Sequence, residues 1–440
     1  MLLLDIRKAI RRGELFHGEQ YFQTWARANL RIAIAWLAYR DIKQPICGIG
    51  GSIGRSVSEQ LESGIMSSLI ENPGAPLEMT GGSRFVRACL RRPVDRPPVW
   101  FLRQAGRYMA EYREVRKHHT LVEICKRPEL AAEVTITAAE KLGVDAAIIF
   151  ADLLLPLEPM GLDFEFVAGE GPLVHQPLRT AEAIDKLRVD RTGQLEYVAA
   201  AIEKVAGHFG DAKGMIGFCG SPFTLASYMI EGGSSRNYVF TKQMMYGEPY
   251  AWQKLLDKLV TVLVAYCKQQ VDAGADVIQI FDSWVGSLGV EDYRDYVLPV
   301  TTRLVRAVQG LGVPVIYFGV ETASLLPAMR ETGADVIGLD WRTPLDEGWK
   351  ALGDSCAVQG NLDPITLFAP EPILETRVRQ VLERADGRPG HIFNLGHGIV
   401  PGTPVENVQA VVKMVKALSP KFVRKEIQVD TGNGPEVKLG

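Results

Sequence analysis

The sequence is short of charge imbalance, long apolar runs and paired cysteines, and each shortage excludes something. Lys and Arg number 49 against 52 Asp and Glu, a formal charge of −3 over 440 residues. Nucleic-acid binding normally needs a basic footprint, so it is disfavoured. No apolar stretch approaches the ~20 residues that span a bilayer, so no membrane partnership is expected. The N-terminal MLLLDIRKAIRR lacks an apolar core of about 7–15 residues with a small-residue cleavage site, so no signal peptide is read there. Six cysteines (Cys47, Cys89, Cys125, Cys219, Cys267, Cys356) are scattered without a C-x-x-C pair. That disfavours a zinc ribbon or thioredoxin-type motif and suggests reduced thiols in a cytoplasmic setting. G-x-x-x-x-G-K-[ST] is also missing, which removes a P-loop.

What is present is the balance of a globular chain, 47% hydrophobic and 23% charged. Residues 1–78 differ from the rest. A helix candidate at 25–39 runs into Gly48, Gly50, Gly51 and Gly54. Their spacing departs from a dinucleotide fingerprint and no βαβ unit surrounds them, so a flexible linker is preferred. These residues are expected to be a poorly ordered N-terminal extension, either accessory or not translated. From Met79 the chain alternates short apolar runs with longer helical patterns. Strands are expected at 99–103, 146–152, 214–220, 277–283, 314–319, 336–340, 357–361 and 391–396. Helices are expected at 121–142, 181–209, 252–273, 293–311, 323–332, 371–385 and 404–418. Apolar runs bounded by Gly and Asp suit strands buried on both faces. Eight strand–helix units over roughly 340 residues fit a single (β/α)8 TIM barrel at 79–420, with a doubly wound sheet as the alternative. Residues 421–440 read as a polar tail.

In such a barrel the C-terminal strand ends share one mouth, where active sites are built. Strand one ends in Arg103 and runs into Gln104, Ala105, Gly106 and Arg107. Strand two ends in Asp152. Tyr228 follows strand three, Ser283 ends strand four, and His397 follows strand eight between two glycines. Each residue has a plainer reading taken singly. The arginines suit surface ion pairs, Asp152 and Ser283 suit helix caps, Tyr228 suits core and His397 suits a turn. It is their shared placement at one mouth that is informative, with histidine the usual first candidate for acid–base work.

At these residues the chain closely resembles the uroporphyrinogen decarboxylase family. The matching segments are 98–114 (PVWFLRQAGRYMAEYRE), 146–161 (AAIIFADLLLPLEPMG), 217–237 (GFCGSPFTLASYMIEGGSSRN), 278–288 (IQIFDSWVGSL), 359–364 (QGNLDP) and 393–401 (FNLGHGIVP). RQAGRY together with NLGHG is highly specific, and the match runs in order from about Met79 to Leu418. The resemblance implies a (β/α)8 barrel, a homodimer, a cytoplasmic location and no cofactor or metal. It implies loss of four acetate carboxyls from uroporphyrinogen III, giving coproporphyrinogen III and CO2. It places substrate contacts at Arg103, Gln104, Ala105, Gly106, Arg107, Asp152, Tyr228, Ser283 and His397, with Asp152 catalytic. Arginine forks suit the carboxylate arms, and one carboxylate suits a protonated pyrrole. The general acid stays open between His397, Arg103 and a water. Two rivals are a zinc-dependent methyltransferase of the same superfamily and a non-catalytic tetrapyrrole carrier. The first lacks a His or Cys in Tyr317–Glu321 after strand five, and the second has no need of Asp152.

Overall fold

The computed structural model describes residues 82–167 and 171–419. The expectations for residues 1–78 and for the tail at 421–440 lie outside the described residues. The first barrel strand is β1 (Ala146–Ile148). A hairpin of β2 (Phe164–Val167) and β3 (Gly171–Val174) follows, then β4 (Gly214–Gly220), β5 (Val277–Asp282), β6 (Val315–Gly319), β7 (Val336–Gly338), β8 (Ala357–Gln359) and β9 (His391–Ile392). Seven of these form one sheet in the order β1-β4-β5-β6-β7-β8-β9, and every pairing in it is parallel. Every residue of β4 and β6 is buried. Their unbroken apolar runs have helices outside and packed side chains inside, the burial expected of a barrel strand.

The first expected strand, 99–103, is reduced to a single parallel bridge between Val99 and Phe393. It still closes the circle. Phe393 N–H donates to Pro98 O at 2.9 Å, Trp100 N–H to Phe393 O at 3.3 Å, and Asp145 N–H to Val99 O at 2.8 Å. Pro97 and Pro98 offer no N–H to a ladder. Asp145 compensates: its carboxylate accepts from Val99 N–H at 2.8 Å, from Arg96 at 2.7 Å and from Arg84 at 3.0 Å. Those partners hold its carboxyl below the usual range although burial pushes the other way.

β1 and β9 also stop earlier than expected. Beyond them the ladder thins to single bonds, Ile149 N–H to Ile216 O at 3.1 Å and Phe393 N–H to Pro98 O at 2.9 Å, and side-chain oxygens take other backbone N–H groups. Thr135 Oγ1 accepts from Phe150 at 2.9 Å, and Asn394 Oδ1 accepts from Leu102 at 3.0 Å and Leu395 at 2.7 Å. The expected helix 121–142 is two helices, Leu121–Cys125 and Pro128–Leu142, because Pro128 starts a new one. The expected 181–209 divides into Ala181–Asp185 and Glu196–Phe209. Pro299, which lacks a donor, leaves a π-turn at Tyr293–Val297 before the helix Leu298–Gln309. The β2–β3 hairpin was not expected. It is tied to the helix Pro222–Glu231 through Val174 N–H to Gly232 O and Leu178 N–H to Met229 O, both at 2.8 Å. No helix among the described residues is long and apolar enough to cross a membrane.

Candidate active site

Arg103 leaves the first barrel segment with φ +59°, a left-handed conformation that costs a side-chain-bearing residue about 1–2 kcal/mol. Its neighbours hold it there. Leu102 N–H is bound by Asn394, Gln104 N–H donates to Phe101 O at 3.0 Å, and Ile399 N–H donates to Leu102 O at 2.9 Å. The side chain then lies along Gly398, where an added Cβ would stand 2.5 Å from Arg103 Cδ. Gly396 has the same need for bareness: its Cβ would lie 2.1 Å from Trp341 N. The two glycines around His397 therefore let three strand ends meet.

Gln104 plays a different part from the one its motif position suggested. It is 1% exposed. Its Nε2 donates to Ala146 O at 3.1 Å, its Oε1 accepts from Phe101 N–H at 3.3 Å, and its carbonyl accepts from Tyr108 OH at 2.6 Å. Its side chain thus anchors the loop, leaving the partly buried Ala105 and Gly106 and the exposed Arg107 at the surface of the mouth.

Asp152 is partly buried and its Oδ1 accepts from Leu154 N–H at 2.9 Å, so the capping role is real as well. Loss of water raises its pKa, against the pull of the Leu154 N–H and the Arg103 charge. Tyr228 lies on Pro222–Glu231, which Ser221 caps by accepting from Thr224 N–H at 3.0 Å. Its ring meets Trp284 edge-on at 5.7 Å and stays partly exposed, so it is not simple core. Burial pushes the Tyr228 hydroxyl up to about 12, and the Asp152 charge adds to this. Both Arg107 and Asp152 act on the hydroxyl of Tyr112, whose pKa is raised chiefly by burial. His397 packs edge-on against Trp341 at 5.9 Å. Burial first, then the charges of Arg103 and Arg342, lower its pKa, so the ring is neutral at neutral pH.

Arg103, Asp152, Tyr228 and His397 therefore share one electrostatic neighbourhood, and Arg107 borders it. Ser283 stands at the same rim, partly exposed, directly after β5. Among the described residues no hydrogen bond joins it to Asp152, Tyr228 or His397. Its neighbour Asp282 is wholly buried and accepts from Thr224 Oγ1 and Tyr317 OH, both at 2.7 Å. The sequence reading missed Arg342, Trp341 and Glu321, which follow β7 and β6 at the same mouth. The rule that found Asp152, a polar residue just past a strand, also marks Asp340–Arg342. A cavity of about 770 Å³ lies elsewhere, near Arg91, Trp349, Gly353 and Arg388. It sits by the N-terminal strand ends, which in barrels serve stability, and mixes three cations with three acids. No three His, Cys, Asp or Glu residues gather into a possible metal site among the described residues.

A parallel α/β barrel with guanidinium groups beside one desolvated carboxylate at its mouth is the architecture of a barrel enzyme acting on carboxylated small molecules. A family model for uroporphyrinogen decarboxylase matches residues 80–418. A uroporphyrinogen decarboxylase of Koribacter versatilis is 65% identical over 342 residues, covering 78% of this chain and 97% of that protein. One of Sorangium cellulosum is 54% identical over 336 residues, covering 76% and 96%. Among solved structures, a methyltransferase from Methanosarcina mazei aligns with TM-score 0.63 at 22% identity, over 76% of this chain and 97% of that one, a likeness of fold alone. The chain belongs to the uroporphyrinogen decarboxylase family.

Proposed function

We propose that this protein decarboxylates the four acetate arms of uroporphyrinogen III to give coproporphyrinogen III in porphyrin biosynthesis, as a cytoplasmic homodimer without cofactor or metal. The observation that best supports the reading is a partly buried carboxyl, Asp152, at the barrel mouth within electrostatic reach of Arg103. The substrate bears eight carboxylates, and a chain of net charge −3 attracts it only through local positive potential. Arg103 and Arg107 supply that potential by binding carboxylate arms. Tyr228, Ser283 and the neutral His397 donate hydrogen bonds to others, and the backbone of Ala105 and Gly106 comes close to the ligand, with Gln104 holding their loop.

Each of the four decarboxylations consumes one proton and releases one CO2. A proton adds to a pyrrole ring carbon and makes a cation. The electron pair of the breaking C–CO2 bond flows toward that cation and leaves an exocyclic methylene. A proton then adds to the methylene, giving a methyl, as the ring carbon returns its own. Asp152 faces the pyrrole N–H groups and opposes the transient positive charge, an effect worth about 3–4 kcal/mol for one well-placed group. His397 hydrogen-bonds an arm, and the proton comes from one of three donors at this mouth, His397, Arg103 or a water.

The test is an anaerobic assay with uroporphyrinogen and added chelator, followed by chromatography of the oxidised products. Stepwise loss of four carboxyls with unchanged rate under chelation is expected. Binding without CO2 release would favour a carrier, and loss of activity on chelation would overturn the metal-free reading.

A further inference from the structure

We infer that Arg342 is a further anchor for a substrate carboxylate, and that Glu321 fills its guanidinium fork until an arm of the substrate displaces it. The inference rests on the carboxylate-rich substrate proposed above and adds a residue that the RQAGR and NLGHG segments do not contain.

Arg342 follows β7, and its guanidinium carbon lies 4.0 Å from the centre of the Trp341 ring. Trp341 in turn packs edge-on against His397, and Gly396 leaves room for the Asp340–Trp341 backbone. The cation is thereby fixed in the wall beside His397, while its side chain remains 44% exposed. A guanidinium placed over an indole ring keeps its N–H edge for carboxylates.

Two carboxylates meet this arginine, and they differ in kind. Asp340 is 1% exposed and lies 3.4 Å from Arg342 Nη1. It also accepts the backbone N–H of Arg342 at 2.9 Å and the backbone N–H of Glu321. It is committed to pinning the two loops and cannot leave. Glu321 is 60% exposed and pairs with Arg342 Nη2 at 3.0 Å. Its φ of +61° is held by the Asp340 contact on its own N–H, not by its side chain. An exposed pair of this sort is worth roughly 0–1 kcal/mol, so another carboxylate can replace it at little cost. Glu321 therefore acts as an internal stand-in for a substrate arm. While in place it also repels the incoming anion.

The test compares Arg342→Gln, Arg342→Lys and Glu321→Gln with the wild-type full chain, using uroporphyrinogen at low and moderate ionic strength. Arg342→Gln is expected to raise KM about tenfold, equal to about 1.4 kcal/mol of lost binding, with kcat within threefold. Arg342→Lys keeps the charge but loses the fork, and should recover part of the difference. Glu321→Gln should lower KM several-fold, more so at low salt, where charge repulsion is least screened. An unchanged KM in Arg342→Gln, or a raised KM in Glu321→Gln, overturns the inference. A fall in kcat alone in Arg342→Gln does so too, since it would mean that the arginine only supports His397. Thermal midpoints of all three variants identify any folding loss, in which case Glu321→Gln, at an exposed side chain, decides. Wild-type protein that releases no CO2 would instead refute the functional reading beneath it.

Discussion

Two demands meet at the carboxyl of Asp152. The reaction needs it ionised opposite a cationic pyrrole, yet its surroundings favour the neutral acid, because desolvation outweighs the Leu154 N–H and the Arg103 charge. A carboxyl whose folded pKa is raised lends stability in its protonated form. That contribution is complete below the unfolded value, about 4, and disappears as pH rises through the folded value. At neutral pH the ionised side chain is therefore a net burden on the fold. Asp152→Asn keeps the size and removes the charge. Its turnover should fall roughly 10²–10³-fold, while its thermal midpoint at pH 7 should rise above wild type. Steady-state kinetics and calorimetry on the same preparation check both. Near-normal turnover would remove the catalytic role, and a lowered midpoint would contradict the electrostatic account. The wild-type kcat/KM should also fall on the acid side with an apparent pKa above that of an ordinary aspartate, a limb that the variant lacks.

Between elements, the decisive contact is the one that joins the first barrel segment to the chain after β9. Arg103 lies so close to Gly398 that a methyl there would stand 2.5 Å from Arg103 Cδ. The backbone of Gly398 has no positive φ that alanine would resist, so Gly398→Ala should fold with a stability change of under about 1 kcal/mol. It should displace the guanidinium, and kcat/KM should fall by up to about 10²-fold, the scale reached when a binding group moves by an ångström. Wild-type kcat/KM in that variant would show that Arg103 does not need its present course. The need for glycine here was readable only in part. The strand-end rule led to Arg103, Asp152, Tyr228, Ser283 and His397, because polar residues after apolar runs are visible in one dimension. What Gly396 and Gly398 touch, Trp341 and Arg103, comes from other strand ends, far away in the chain. The same holds for Gln104: its motif marks it as functional, while its hydrogen bonds to Ala146 and Phe101 show a supporting side chain. The β2–β3 hairpin escaped notice because Phe164–Val167 and Gly171–Val174 are mostly half-buried or exposed, whereas β7 and β8, shorter still, are wholly buried and mainly apolar. The first strand was overestimated because the apolar run 99–102 looks like a strand, whereas the prolines before it and the turn at Arg103 leave only one bridge.

For the whole molecule the question is where the folding unit begins. The family match starts at residue 80, and 342 residues of this chain account for 97% of the Koribacter versatilis protein. Residues 79–420 are accordingly proposed as the complete catalytic barrel. The structure explains why the boundary cannot move much further along the chain. Ser83 caps the helix Arg84–Cys89 by accepting from Val86 N–H. From that helix Phe85, fully buried, packs edge-on to Trp100 at 6.3 Å. Arg84 and Arg96 both bind the Asp145 carboxylate that holds the first segment in place of a ladder. A chain starting at Met79 keeps all of these contacts, and should match the full chain in kcat, KM and thermal midpoint. One starting at Pro97 loses both arginines that pair with Asp145, whose side chain is 8% exposed, and leaves it only the looser charges of Lys213 and Lys416. Breaking a buried pair in this way costs about 3–5 kcal/mol, a large share of the 5–15 kcal/mol typical of a folded protein. The second chain should therefore express poorly or melt well below the first. If the Met79 chain fails as well, residues 1–78 complete the fold or the assembly. If the Pro97 chain survives intact, Asp145 does not hold the barrel closed.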